Sequence, residues 1–238
     1  MSLGEIFSDA IKYPFSDVKA FLIVGVIALL SGITSIALSF NVDNTSAVLL
    51  LSVIGIIFAV ILTGYGVDVI KGGIEHSEAI PEIDLMKNLV TGIKAIIIEI
   101  VYFLIPIIII FVLGMITGAI GASLNHIAAA TGITVVIGII LVIVFAIFET
   151  VAIARFADTG DMGAALSIGE VIEDVKKIGI LQIIAFVILA LIIMIIAMVI
   201  AGFIGMIPFV GIIIGTLLIG AFVALFYNRA LGLLYSQI

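Results

Sequence analysis

The feature that most constrains this chain is a series of six long, uninterrupted apolar stretches. Each has about twenty residues or more, and a helix that rises ~1.5 Å per residue needs ~20 residues to cross a ~30 Å hydrocarbon layer. In lipid the backbone must satisfy its own hydrogen bonds, so we predict an all-α, polytopic transmembrane helical bundle. The six predicted spans are residues 20–40, 47–69, 95–120, 133–154, 180–201 and 211–231.

The distribution of positive charge predicts how the chain crosses the membrane. All nine Lys and Arg residues lie before the first span, between spans two and three, between four and five, or at the end of the sixth. The opposite connections, at 41–46, 121–132 and around Pro208, carry none. Because cytoplasmic loops retain Lys and Arg, we predict a multi-pass protein of the cell (plasma) membrane with cytoplasmic N- and C-termini.

Composition excludes several classes of function. The chain is 65% hydrophobic, against ~45–50% for a soluble domain. Its net charge is −7, and only Asp43 of its sixteen acidic residues lies on the outer side, so we expect no nucleic-acid partner. There is no cysteine, and His76 and His126 lie on opposite sides of the predicted membrane. We therefore expect no metal site, no cofactor and no enzymatic activity.

Similar charged segments before the odd-numbered spans suggest an internal repeat. Residues 4–9 (Gly-Glu-Ile-Phe-Ser-Asp) align without gaps with 169–174 (Gly-Glu-Val-Ile-Glu-Asp), and 84–89 keeps a weaker form of the pattern. We predict a single membrane domain, 1–238, of three two-span repeats, each preceded by a cytoplasmic amphipathic helix. The units cover about 1–72, 73–158 and 159–238. Two placements of the helices stay open, in the interface or docked beneath the bundle; chance similarity of three charged linkers is the alternative to repetition.

Ionisable side chains inside the apolar layer identify the candidate site, since each costs ~2.5–3.5 kcal/mol at mid-membrane. Glu99 lies five residues past Lys94 and Glu149 six residues before Arg155, so both are ~7–9 Å from the cytoplasmic surface. We predict a polar membrane site that opens to the cytoplasm and suits a cation, a proton or a lipid headgroup. Its candidate residues are Glu99, Glu149, Arg229, Tyr102 and Asp68.

A structural interpretation competes with this site. Glu99 can pair with Lys94 or Arg229, and Glu149 with Arg155, because ion pairs also place charge inside proteins. Tyrosines near the membrane boundary are typical interfacial anchors, and the chain has no Trp to serve that purpose.

Two classes of function remain open at this stage. One is handling of a lipid, an ion or a small solute at the cytoplasm-facing site. The other is an accessory or scaffold role, in which the acidic cytoplasmic face recruits a partner. Membrane lipids are expected partners in either case. Two G-x-x-x-G pairs, Gly114 with Gly118 and Gly211 with Gly215, favour close helix packing within the chain, in a homo-oligomer or with another membrane protein.

Several local patterns carry a family resemblance that runs nearly from end to end. The patterns are 12–15 (Lys-Tyr-Pro-Phe), 64–65 (Gly-Tyr), 81–84 (Pro-Glu-Ile-Asp), 92–94 (Gly-Ile-Lys) and 154–157 (Ala-Arg-Phe-Ala), the last followed by Gly160 and Ala164. By these patterns the chain resembles an uncharacterised archaeal family of six-helix integral membrane proteins, a domain of unknown function. The resemblance implies the layout and brings no known activity.

Overall fold

The computed structural model describes residues 1–123, 126–208 and 210–238. These residues form ten α-helices and no strand, which confirms the all-α class. A short 3-10 turn, Tyr13–Phe15, separates the first two helices. The helices are α1 Leu3–Lys12, α2 Val18–Ser31, α3 Ile33–Ser39, α4 Thr45–Ile74, α5 Leu85–Ser123, α6 Ile127–Thr159, α7 Met162–Leu166, α8 Ile168–Ile178, α9 Ile180–Gly205 and α10 Gly211–Tyr235.

Five of these helices, α4, α5, α6, α9 and α10, are long and apolar enough to cross a membrane. The first predicted span, 20–40, falls on α2, which has 14 residues, and on α3, which follows it after Gly32. The segment Leu3–Phe15 meets α2 at 87°, so α1 lies across the end of the bundle. The chain is therefore membrane-embedded, with five or six helices that could span the bilayer. Part of two predicted outer connections, at Leu124, Asn125 and Phe209, falls outside the described residues.

Local sequence explains where several helices begin and end. The side chain of Asp17 accepts a hydrogen bond from Ala20 N at 3.0 Å and caps α2, and Asn44 caps α4 in the same way. Gly160, at φ 69°, ends α6 in the left-handed region that glycine adopts at least cost. Gly179, at φ 97°, separates α8 from α9.

The middle unit differs from the sequence prediction. A separate amphipathic helix was expected there before the third span, but α5 runs without a break for 39 residues from Leu85. The first unit has Pro14 and the cap at Asp17 to break the chain, and the third has Gly179. Residues 85–95 of the middle unit contain no proline, and the one glycine among them, Gly92, packs closely against α4 and does not end the helix. The helix therefore continues into the span.

The two short helices α1 and α8 pack on the bundle, as expected for one of the two placements left open by the sequence. α1 buries Ile6 and Ala10 completely, and its Phe7 ring lies 5.5 Å from the ring of Phe186 and 6.0 Å from that of Phe226. Their apolar faces therefore contact protein. The buried residues of α8 are Val171, Asp174, Val175 and Ile178.

The charged residues gather at one end of the bundle, which we call the polar end. There α2, α5 and α9 begin, and α4, α6 and α10 end. Inside the bundle, α4, α6 and α10 all contact one another. The other spans pack around these three: α2 contacts α4 and α10, α5 contacts α4 and α6, and α9 contacts α10. The backbones of α6 and α9 make little contact with each other.

Candidate functional site

A cavity of about 1160 Å³ lies between the spans. Six helices, α2, α4, α5, α6, α9 and α10, contribute to its wall. Along α10 the wall runs from Leu231 to Thr216, ~22 Å at the helical rise, from near the polar end to beyond the middle of the layer. Most wall residues are Ala, Val, Leu or Ile. The polar ones are Ser31, Thr63, Glu99, Glu149, Thr150, Thr216, Tyr227 and Asn228.

Glu99 and Glu149 both face this cavity, from α5 and α6. Each is half-buried, and the two belong to neighbouring helices that pack against each other. Tyr227 of α10 lines the same cavity. Among the residues that the structure describes, neither carboxylate has an ion-pair partner. The site therefore holds two acidic groups with no cation beside them.

Two of the three cations proposed as partners for these glutamates, Arg155 and Arg229, bind other groups, and in the described ranges no ion pair joins the third, Lys94, to Glu99. Arg155 binds Glu170 and the Oδ2 atom of Asp174, the latter at 2.6 Å. Arg229 Nε lies 2.8 Å from Asp9 Oδ1. Pairing of Glu149 with Arg155, or of Glu99 with Arg229, is therefore wrong as an interpretation of the sequence.

Arg229 lies at the polar end and not in the wall of the cavity. Its side chain is 3% exposed, and besides Asp9 it donates to the carbonyl oxygens of Gly72 at 3.1 Å and Ser77 at 2.6 Å. The guanidinium carbon also lies 4.6 Å from the ring centre of Tyr13. One side chain thus joins α1, the end of α4 and α10.

The other two candidates make structural contacts. Tyr102 donates from its hydroxyl to the carbonyl oxygen of Ala165 at 2.9 Å. Asp68 accepts from Lys87 Nζ at 2.8 Å and from Asn88 Nδ2 at 2.7 Å, which joins α4 to α5. Of the five predicted residues, the structure brings only Glu99 and Glu149 together in the cavity.

The tyrosine side chains make contacts within the protein and are not interfacial anchors. Four hydroxyls hold segments at the polar end, and each donates to another part of the chain: Tyr13 to Ala79 O, Tyr65 to Pro81 O, Tyr102 to Ala165 O and Tyr235 to Asp174 Oδ2. The fifth, Tyr227, lines the cavity. The sequence places Tyr227 near the end of the sixth predicted span but gives no signal for the direction of its side chain, because position along a span does not say which neighbour a side chain faces.

Asp174 anchors α8 to the bundle. Its side chain is 2% exposed and receives hydrogen bonds from Tyr235 at 2.7 Å, Arg155 at 2.6 Å and Lys177 at 3.1 Å. Burial opposes ionisation, but the three donors together hold the pKa of this carboxyl below its usual range. Asp174 is therefore an anion at neutral pH, fixed between α6 and α10.

The cavity opens sideways between α6 and α9. Residues from both helices line it, among them Ile143 of α6 and Ile188 of α9. The side chains of these two residues are also 55% and 52% exposed. Because the two backbones make little contact, the gap joins the cavity to a surface that the bilayer covers.

Comparison with known proteins adds one match. A family described as "Protein of unknown function (DUF4013)" matches residues 47–206, from α4 through the end of α9. The matched region contains both Glu99 and Glu149. No curated protein and no solved structure matches the chain.

Proposed function

The chain belongs to the DUF4013 family of proteins of unknown function, and we propose that it is a non-catalytic membrane protein that binds a small solute in the cavity between its spans. The observation that carries the proposal is a wall built by six helices around two carboxylates without cation partners. Ligand pockets in proteins measure about 300–1,000 Å³, so a cavity of this volume is large enough for an organic molecule.

Stability alone does not account for this arrangement. Protein interiors are close-packed, and an unfilled space costs free energy in proportion to its volume. An ionisable group within the membrane layer carries a further cost and usually marks a functional site. A bundle that served only as a scaffold would gain stability by filling the cavity and by replacing Glu99 and Glu149 with apolar residues.

The proposal includes the orientation of the chain. We propose six spans in the plasma membrane, with α2 and α3 together as the first, and with both termini and the polar end in the cytoplasm. The confinement of Lys and Arg to alternate connections supports this. The mutual contact of α4, α6 and α10, the second span of each unit, supports three two-span repeats about a common axis, in keeping with the archaeal six-helix layout that the sequence resembles.

Binding of a neutral probe tests the function. With the protein in phosphatidylcholine nanodiscs, N-phenyl-1-naphthylamine is expected to bind saturably above the level of empty nanodiscs. Ala146→Phe places a ring in the cavity from α6, and we expect it to weaken this binding by at least about tenfold. Fluorescence titration measures both effects.

The matched control is Val136→Phe, which adds a ring to the 58% exposed lipid side of the same helix. It should leave probe binding intact. Ala224→Phe occludes the cavity from α10 and replaces Ala146→Phe if that variant does not fold. Absence of saturable binding, or equal affinity in the occluded and control variants, would contradict the proposal and favour the scaffold role.

A further inference from the structure

We propose that the ligand of this cavity is a lipophilic organic cation, with its charged group beside Glu99 and Glu149 and its apolar part against the wall. The inference rests on the proposed function and names its ligand class. Three properties of the site support it: the sign of its charge, the character of its wall and the direction of its opening.

The charge of the site selects a cation. Glu99 and Glu149 both line the cavity, and no Lys, Arg or His is among its described lining residues. Two like charges close together in a medium of low dielectric repel, and a positive charge between them removes that repulsion. An anionic ligand would meet both carboxylates with nothing to offset them.

The rest of the site selects an organic cation over a metal ion. Within the described part of the chain, no group of three or more His, Cys, Asp or Glu residues is arranged to hold a metal. The volume of about 1160 Å³ is also far larger than one ion needs. The apolar wall provides contact area for hydrocarbon or aromatic groups, where burial contributes about 25 cal/mol per Å².

The opening selects a lipophilic molecule. The gap between α6 and α9 leads from the cavity to the surface that the bilayer covers. At the polar end α1 and α8 dock on the bundle: Phe7 of α1 packs on Phe186 and Phe226, and Asp174 of α8 binds Tyr235. A molecule dissolved in the bilayer therefore has the more direct route.

Two ions that differ in charge but share their four phenyl rings test the inference. Tetraphenylphosphonium and tetraphenylborate are titrated by equilibrium dialysis against phosphatidylcholine nanodiscs that contain the protein, and binding to empty nanodiscs is subtracted. We expect saturable phosphonium binding at least about tenfold tighter than borate binding. Equal affinities, or tighter borate binding, would overturn the proposal. This comparison needs no variant.

Substitution of the two glutamates then tests whether they bind the charged group of the ligand. Glu99→Gln with Glu149→Gln is expected to weaken phosphonium binding by about tenfold to a hundredfold, and Glu149→Gln alone serves if the double variant does not fold. Glu173→Gln, at an exposed position of α8 outside the cavity, should leave binding unchanged. Unchanged binding in the double variant overturns the assignment. Saturable N-phenyl-1-naphthylamine binding without phosphonium selectivity would refute this ligand class and leave the proposed function standing; loss of both would refute the function.

Discussion

Gly92→Ala is expected to lower the free energy of unfolding by more than about 3 kcal/mol, beyond the usual range for overpacking. A Cβ atom at Gly92 would overlap the carbonyl oxygen of Val60, and one at Gly64 would overlap that of Asn88. These obstacles are backbone atoms within helices, so they cannot rotate away as a flexible side chain does. The helices α4 and α5 would have to separate, and Glu99, seven residues further along α5, would move with its helix.

Gly118→Ala is the matched control for this prediction. It makes the same chemical change on the same helix, but an added Cβ there meets no atom within 4 Å. Its effect should stay within about 0.5 kcal/mol. The measurement is the fraction of protein that remains monodisperse by size exclusion after heating in nanodiscs. If Gly92→Ala and Gly118→Ala lose stability equally, the close contact between α4 and α5 is not as described.

Arg229→Ala is expected to cost about 2–3 kcal/mol, the upper part of the range for leaving buried hydrogen-bonding groups without a partner, since Asp9 itself is 39% exposed and can be solvated. The variant leaves Asp9 without its cation and the carbonyl oxygens of Gly72 and Ser77 without their donor. Since these groups belong to α1, α4 and the segment after α4, we also expect α1 to detach from the bundle. Asp9→Ala should cost less, because Arg229 keeps both carbonyl contacts.

Lys71→Ala provides the comparison for Arg229. Lys71 is also a cation near the polar end, but its side chain is 53% exposed and lies 4.0 Å from Glu75. A solvated pair of this kind contributes less than about 0.5 kcal/mol. Thermal unfolding measures the loss of stability, and the protease sensitivity of residues 1–15 measures the detachment of α1. A loss for Arg229→Ala no greater than that for Lys71→Ala would show that the contacts of Arg229 do not hold α1 in place.

The positions of the spans were predictable because hydrocarbon thickness sets a minimum apolar length. Their ends were not. α4 continues to Ile74, and α5 already begins at Leu85, so each helix extends well beyond its apolar stretch. Helices end at specific caps or glycines and not where hydropathy falls, which is why the expected break before the third span is absent.

The two carboxylates of the site were predictable for a similar reason. Burial of charge in lipid is costly, so Glu99 and Glu149 stand out at their depths in the sequence. Their surroundings were not predictable. Arg155 binds Asp174, nineteen residues further along the chain, and not the nearer Glu149. Such partners depend on how α8 folds back under α6, which spacing within one helix does not reveal.

The glycine spacing predicted close helix contacts correctly for only one of the two G-x-x-x-G pairs. Gly114 and Gly118 form a G-x-x-x-G pair, yet neither makes a close backbone contact among the described residues. Close approaches occur at Gly64 and Gly92, where α4 meets α5, and at Gly73 and Gly232, where α4 meets α10. No short motif connects either pair, because its two glycines lie on different helices. Gly211 and Gly215 do pack close to α9, against Ile204 and Ala201.

A single introduced tryptophan tests the central claim, that the spans enclose a cavity open to the bilayer. The chain has no native Trp, so the fluorescence of Tyr227→Trp reports on the cavity wall alone. In nanodiscs of lipids brominated on their acyl chains, the structure predicts strong quenching of this variant. Phe226→Trp, one residue away and 0% exposed in the core, should be quenched little. Equal quenching of the two, or an unquenched Tyr227→Trp, would contradict the account.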